Sequence, residues 1–299
     1  MVDNTLKLPE FPHPNKEALK DYNLLIGIDE QKKELLRTLE MLLDQKKIQQ
    51  WVKKFHSKGL PFMAHLKTSS PLIILSGEVG CGKTALAQSI GTPLADLLAS
   101  PVKVFETPSN IRGSGLVGEI SNRITEVFET AKSRLKNDEI GLLIIDEADD
   151  LATSRAQNQA HHEDRAGLNV LIKQVDSIMK SNKRLAVIMI TNRLVVLDPA
   201  IRRRTSLHLV FERPTGKKLE DVLMALLYGT EWKKTDMDIL IKSASSHSVP
   251  YSYSDLIQRV AKQTLYEAVE KKVPFSIALF QTILEKTEPT PLLGEQKLN

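Results

Sequence analysis

A chain of 299 residues, 41% hydrophobic and 26% charged, has the length for about two domains and a sizeable core. Its net charge of +4 is far from the footprint of a dedicated nucleic-acid binder, and no apolar run approaches the ~18 residues of a membrane span. The one cysteine, Cys81, excludes an intramolecular disulfide; together with an amino terminus that is neither basic nor followed by an apolar stretch, it points to the cytoplasm.

Residues 1–20 carry Pro9, Pro12 and Pro14 among polar residues and read as an irregular tail. From Asp29 to Phe55 apolar residues recur at helical spacing, among them Leu35, Leu39, Leu43, Trp51, Val52 and Phe55. Its lysines (Lys46, Lys47, Lys53, Lys54) admit a nucleic-acid face, but the solvated side of a packed helix is the plainer reading. The apolar strand Leu72–Leu75 then leads into Gly77-Glu78-Val79-Gly80-Cys81-Gly82-Lys83-Thr84, followed by helix-forming residues from Ala85. Strand, glycine-rich turn and helix are the context a phosphate-binding loop requires. Glycines let backbone N–H groups face phosphate oxygens, and the helix turns its positive end toward the same anion. Lys83 is placed to reach the β- and γ-phosphates, and the Thr84 hydroxyl to hold Mg²⁺. The loop therefore implies a nucleoside triphosphate, and modification of the Cys81 thiol is expected to block it.

Pro101–Glu106 reads as a second strand and Ile120–Leu135 as a helix. Leu142-Leu143-Ile144-Ile145-Asp146-Glu147 is an apolar run ending in carboxylates, as in a strand buried on both faces whose tip opens at the ligand crevice. Asp146 then anchors Mg²⁺ through water and Glu147 polarises the attacking water; Asp149 and Asp150 read as a solvated turn. A polar stretch, Thr153–Arg165, precedes a helix marked by Leu168, Leu171, Val175 and Ile178. Leu185–Ile190 is another apolar strand, ending in Thr191-Asn192, and Leu209–Phe211 a last short one. Strands alternating with helices predict an α/β fold with a parallel sheet and helices on both faces. After Pro214 only helices are expected: Leu219–Tyr228, Asp236–Ser246, Ser252–Val269 and Ser276–Lys286, with Ser252 and Asp255 spaced as a capping box. The expected domains are a tail at 1–20, an α/β subdomain at 21–213, a helical lid at 214–288 and a tail at 289–299.

Phosphate loop, acidic strand, polar-tipped strand and helical appendage together resemble the AAA+ ATPases over about residues 21–285. In that family a segment like Leu24-Leu25-Ile26-Gly27-Ile28-Asp29 packs on adenine, which implies Ile26 and Gly27 as nucleotide contacts. Asn192 matches the sensor-1 position that orients water with Glu147. Asp198-Pro199-Ala200-Ile201 followed by Arg202-Arg203-Arg204 resembles the arginine-finger segment, implying that Arg203 and Arg204 reach a neighbouring subunit's ATP. The implied assembly is a homo-oligomer, most plausibly a hexameric ring. Gly115-Leu116-Val117-Gly118-Glu119 aligns with the substrate-gripping pore loop (Leu116, Val117, Gly118), yet Leu116 stands where the family has an aromatic. That departure points to local remodelling rather than unfolding of stable domains. His161, His162, Glu163 and Asp164 lack a metal-ligand spacing and are assigned to a second pore-facing loop. The sensor-2 arginine is missing from Tyr253–Leu256, leaving Arg259 as a weak substitute.

More finely, the long run from Lys83 to the second strand and the segment from Ser154-Arg155 through Asn169–Asp176 resemble the pachytene-checkpoint-type ATPases that remodel HORMA-domain proteins. Their short bacterial relatives accompany cyclic-nucleotide anti-phage systems. The resemblance implies ATP and Mg²⁺ as cofactors and a protein substrate of the HORMA class, and neither membrane nor nucleic acid as partner. Two other functions stand beside it: a nucleic-acid AAA+ ATPase (clamp-loader part, initiator or transposition helper) and a non-hydrolytic nucleotide switch. The absence of a helix-turn-helix, zinc finger or strongly basic face argues against the first. Lys83, Asp146, Glu147, Asn192 and Arg203, all intact, argue against the second.

Overall fold

The structure, a computed structural model, describes residues 7–63, 69–108, 111, 118–152 and 162–292. The chain forms two compact units, one of Met1–Asn23, Glu30–Ser76 and Thr84–Val210, the other of Leu24–Asp29, Gly77–Lys83 and Phe211–Asn299.

The first unit is built on a sheet. In chain order its elements are β1 (Glu10–His13), α1 (Lys16–Leu24), α2 (Asp29–Leu43), α3 (Lys46–Phe55), β2 (Leu72–Gly77), α4 (Lys83–Ser89), α5 (Gly91–Leu98), β3 (Val102–Glu106), α6 (Glu119–Arg134), β4 (Ile140–Ile145), α7 (His162–Lys180), β5 (Arg184–Thr191), α8 (Pro199–Arg202) and β6 (Thr205–Phe211). Six strands lie in the order β1-β3-β4-β5-β2-β6. β3, β4, β5 and β2 run parallel, in a register that pairs Phe105 with Leu143, Leu143 with Val187 and Ser76 with Thr191. Alternate residues divide between the two faces of a strand. Phe105, Leu143, Val187 and Met189 join a core with Ile124, Phe128, Leu171 and Val175 of α6 and α7. The residues between them, Val104, Leu142, Ile144, Ala186 and Ile188, are equally buried. The α/β sheet covered on both faces, expected from these near-continuous apolar runs, is therefore present.

Two expectations change. The segment read as an irregular tail contains β1, paired antiparallel with β3, and the first part of α1. Pro12 is compatible with an edge strand, whose outer N–H groups need no ladder partner, and His13 at its end is buried with Nδ1 2.8 Å from Thr92 Oγ1. The single helix expected from Asp29 to Phe55 is two helices that break at Asp44-Gln45, where Asp44 Oδ1 accepts from the Lys46 N–H at 2.9 Å. On α3 only Val52 is buried, while Trp51 and Phe55 are exposed.

The second unit gathers helices α9 (Gly216–Leu226), α10 (Lys234–Ala244), α11 (Lys262–Lys271) and α12 (Ile277–Lys286), with a π-helical turn at Asp255–Ala261 running into α11. Leu223, Leu240, Leu256, Val260, Phe280 and Leu284 form its apolar centre. The capping box is formed: Ser252 Oγ accepts from the Asp255 N–H and an Asp255 oxygen accepts from the Ser252 N–H, both at 3.0 Å. This unit also contains the segments 24–29 and 77–83.

Candidate functional site

The glycine-rich loop follows β2 in a conformation that its glycines make possible. Gly77, Gly80 and Gly82 take φ of 124°, 73° and 89°, values that L side chains rarely adopt. A Cβ at Gly77 would lie 2.1 Å from Phe211 O, and one at Gly80 2.8 Å from Ser254 Cβ. The Glu78 N–H donates to Phe211 O at 2.9 Å, and the Ser254 N–H donates to Gly80 O at 3.0 Å. Lys83 is buried, and its ammonium donates to Gly77 O at 2.9 Å and Glu78 O at 2.6 Å. The loop thus holds its one cation against its own carbonyls. Val79 and Ala85 are exposed.

Within the same unit the segment from Leu24 to Asp29 lies against this loop. A Cβ at Gly82 would meet Leu25 Cδ2 and Ile28 Cδ1 at 3.7 Å. Gly27 has φ of 77°, and Tyr253, two residues before the π-helical turn, donates its hydroxyl to Gly27 O at 3.2 Å. Ile26 is half-buried beside it. Cys81 is 1% exposed and burial pushes its thiol up to about 11, against the opposing positive charges of Lys83 and Arg213. The thiol whose modification is expected to block the loop is therefore a buried one, its side chain pointing inward rather than toward solvent.

The first unit supplies a second group of residues at the carboxyl ends of its strands. Thr84 Oγ1 donates to Asp146 Oδ2 at 2.8 Å, and the Glu147 N–H donates to Asp146 Oδ1 at 2.8 Å. Both oxygens of Asp146 are thereby oriented. Glu147 is exposed in the left-handed region, φ 50° and ψ 43°, an uncommon place for a residue with a Cβ. Thr84 and Asp146 present two hard oxygen donors side by side, a set that suits Mg²⁺ completed by phosphate and water. Asn192 is exposed at the tip of β5. Before it, buried Thr191 donates its hydroxyl to Asp149 Oδ1 at 2.8 Å. Asp149, read from sequence as part of a solvated turn, instead ties the acidic turn to the strand that carries Asn192. Glu106, at the end of β3, was not singled out by sequence; burial raises its carboxyl above the usual range, a hydrogen bond from Gln88 opposes this, and the charge of Asp146 adds to it.

Asp198 caps α8, accepting from the Ala200 N–H at 2.8 Å with Pro199 behind it. The two arginines that follow differ. Arg204 forms a two-point ion pair with Asp176 of α7, at 2.9 and 3.1 Å. Arg203 is exposed, and among the described residues its side chain makes one long contact, Nε to Pro199 O at 3.4 Å. Gly118, φ 80°, opens α6, whereas Leu116 and Val117 lie outside the described residues, as do His161 and the side chains of His162, Glu163 and Asp164. Arg259 binds Asp255 Oδ1 at 2.9 Å and Glu288 O at 2.8 Å within the helical unit. Among the described residues no helix is long and apolar enough to cross a membrane, and no cluster of three His, Cys, Asp or Glu is arranged to hold a metal ion.

Residues 73–213 match the ATPase family associated with various cellular activities (AAA). The CD-NTase-associated protein 6 of Escherichia coli strain KTE188 is 32% identical over 285 residues, covering 94% of this chain and 95% of that protein. A chain in the structure of the E. coli MS115-1 HORMA:CdnC:Trip13 complex superposes with a TM-score of 0.88 at 32% identity, covering 96% of this chain and 97% of that one. Rhizobiales Trip13 superposes at 0.76 with 26% identity, over 96% of this chain and all of that one (100%). The chain belongs to the AAA ATPases, in the family of the CD-NTase-associated protein 6 relatives.

Proposed function

We propose that this ATPase assembles into a ring that remodels a HORMA-domain protein in a bacterial anti-phage system. The observation that carries the proposal is the match, over nearly the whole of both chains, to a chain of the HORMA:CdnC:Trip13 complex. In this reading Ile26 and Gly27 border the adenine, and the backbone of residues 77–85 with the Lys83 ammonium binds the phosphates. Thr84 and Asp146 hold Mg²⁺, which when bound neutralises charge on the phosphate oxygens. Glu147 takes the proton of the attacking water, and Asn192, held at the strand tip by the Thr191–Asp149 bond, orients that water.

Arg203 and Arg204 sit together at the subunit boundary of a hexamer. Exposed Arg203 extends to the neighbour's phosphates, while Arg204 keeps the turn in place through Asp176. Such a finger stabilises charge on the transferring phosphoryl group and is typically worth ~10³–10⁵ in rate, so hydrolysis depends on assembly. Leu116, Val117 and Gly118 grip the substrate in the pore; an aliphatic grip suits local remodelling. The site of action is the cytoplasm, with neither a membrane nor nucleic acid as partner.

The test is retention by an ATP-loaded Glu147→Gln variant in a lysate of the native host. Recovery of a HORMA-domain protein, released on exchange to ADP, is the expected result. Recovery of nucleic acid with replication or transposition proteins would replace the proposal with the nucleic-acid reading.

A further inference from the structure

Arg213, directly after β6 and its neighbour Glu212, is 6% exposed, and none of the roles above uses it. Its guanidinium is held by four partners of the second unit. Nη1 donates to Pro250 O at 2.7 Å and Thr290 O at 2.6 Å, and Nη2 donates to Pro291 O at 3.2 Å and Glu78 Oε2 at 3.4 Å. Nε is buried and has no hydrogen-bond partner among the described residues. A guanidinium stays charged when buried and is stable there only beside compensating negative charge. Three of the four partners are carbonyl dipoles; of the four, only Glu78 carries a full charge.

Glu78 is the second residue of the glycine-rich loop, and its N–H is bonded to Phe211 O, two residues before Arg213. The loop is thus tied at two points to one short stretch of chain. A triphosphate brings several negative charges to this loop, and an uncompensated carboxylate within it would oppose them. Arg213 removes that opposition, while the Thr290-Pro291 carbonyls keep the guanidinium in register with Glu78.

We propose that Arg213 is a positioning residue of the phosphate loop, which neutralises Glu78 and thereby sets the affinity for the triphosphate. The proposal rests on reading Gly77–Thr84 as the phosphate loop. Equilibrium binding of ATP, ADP and adenosine to the full chain tests it, in the wild type, Glu78→Gln, Arg213→Met, Arg213→Lys and the Glu78→Gln/Arg213→Met pair. Arg213→Met should weaken ATP about 10-fold, ADP less and adenosine least, because the exposed carboxylate acts on phosphate charge. Arg213→Lys, which keeps the charge without the fork, should fall between. Glu78→Gln should tighten ATP relative to ADP, and the double variant should return to within about 3-fold of wild type.

A merely structural arginine would weaken all three ligands alike, without rescue by Glu78→Gln, and that result overturns the proposal. If Arg213→Met does not fold, Glu78→Gln decides alone, since the Glu78 side chain is 31% exposed; no gain for ATP over ADP overturns the proposal. Lys83→Ala in parallel separates the two readings. Undiminished ATP binding by Lys83→Ala removes the loop assignment and this proposal with it. Loss of ATP by Lys83→Ala, with unaltered affinities in the Arg213 and Glu78 variants, removes the pair alone.

Discussion

Arg204 clasps Asp176 through two nitrogens, whereas its neighbour Arg203 is left exposed, with one long side-chain contact, to Pro199 O, among the described residues. Two adjacent residues of the same type therefore have different means of acting. One is fixed by an ion pair within its own chain, and the other is exposed, free in the proposed ring to serve a neighbour.

The first prediction follows from that difference. Arg203→Ala should leave ATP binding within a few-fold of wild type and lower hydrolysis by ~10³ or more. Mixing it with Lys83→Ala protein should restore part of the activity, because each supplies what the other lacks. Arg204→Ala should cost on the order of 1 kcal/mol of stability, the scale of a well-oriented but partly exposed pair. Steady-state ATPase assays of the single and mixed proteins, with urea unfolding, check both statements. No recovery on mixing would remove the action in trans.

Glu147 gives a prediction in which stability and activity move in opposite directions. Its left-handed backbone, φ 50°, costs a residue with a Cβ about 1 kcal/mol relative to glycine. Glu147→Gly should therefore unfold at a higher temperature than wild type while losing hydrolysis. Glu147→Gln should lose hydrolysis without the stability gain. A Glu147→Gly protein less stable than wild type would show that the side chain supports the turn.

Cys81 should be inert in the native protein. A thiol raised to about 11 by burial is ionised to only about 0.1% at pH 8, and the thiolate is the reactive form. Because the chain has a single cysteine, labelling by a chromogenic disulfide reagent reads this position alone. Labelling should be slow in buffer and complete within seconds in denaturant. Rapid labelling of the folded protein would mean that the loop opens on that timescale.

Asp255 should give the fold an acid limit. Burial alone would raise its carboxyl, but hydrogen bonds from Thr290, Ser252 and Arg259 together outweigh this and lower it from 3.8 to about 2. A carboxylate depressed in the folded state contributes stability that is complete above its unfolded value and is lost as the pH falls through its folded one. The window is therefore about pH 4 down to pH 2, and the contribution is on the order of 2 kcal/mol. Asp255→Asn should be less stable than wild type in urea at pH 7, and the gap should narrow by about that amount by pH 2. A gap independent of pH would assign the effect to the shape of the capping box rather than its charge.

What the sequence determined by itself is whatever depends on residues close together in the chain. Apolar runs of Leu72–Leu75, Leu142–Ile145 and Leu185–Ile190 require a sheet buried on both faces, and the order of strands and helices requires parallel pairing. The glycine spacing from Gly77 to Gly82 and the capping box of Ser252 and Asp255 are local steric and hydrogen-bonding patterns, legible because four to six residues contain the whole device.

Tertiary structure decided what depends on partners far apart in the chain. Nothing within ten residues of Arg204 or Thr191 announces Asp176 or Asp149 as its partner, and Glu78 and Arg213 are 135 positions apart. The edge strand Glu10–His13 was hidden for the same reason: its hydrogen bonds are supplied by β3 and not by its own sequence. The burial of Cys81 was not legible because exposure is a property of the packed loop, whereas the spacing of a motif specifies the backbone and leaves the direction of each side chain to its neighbours.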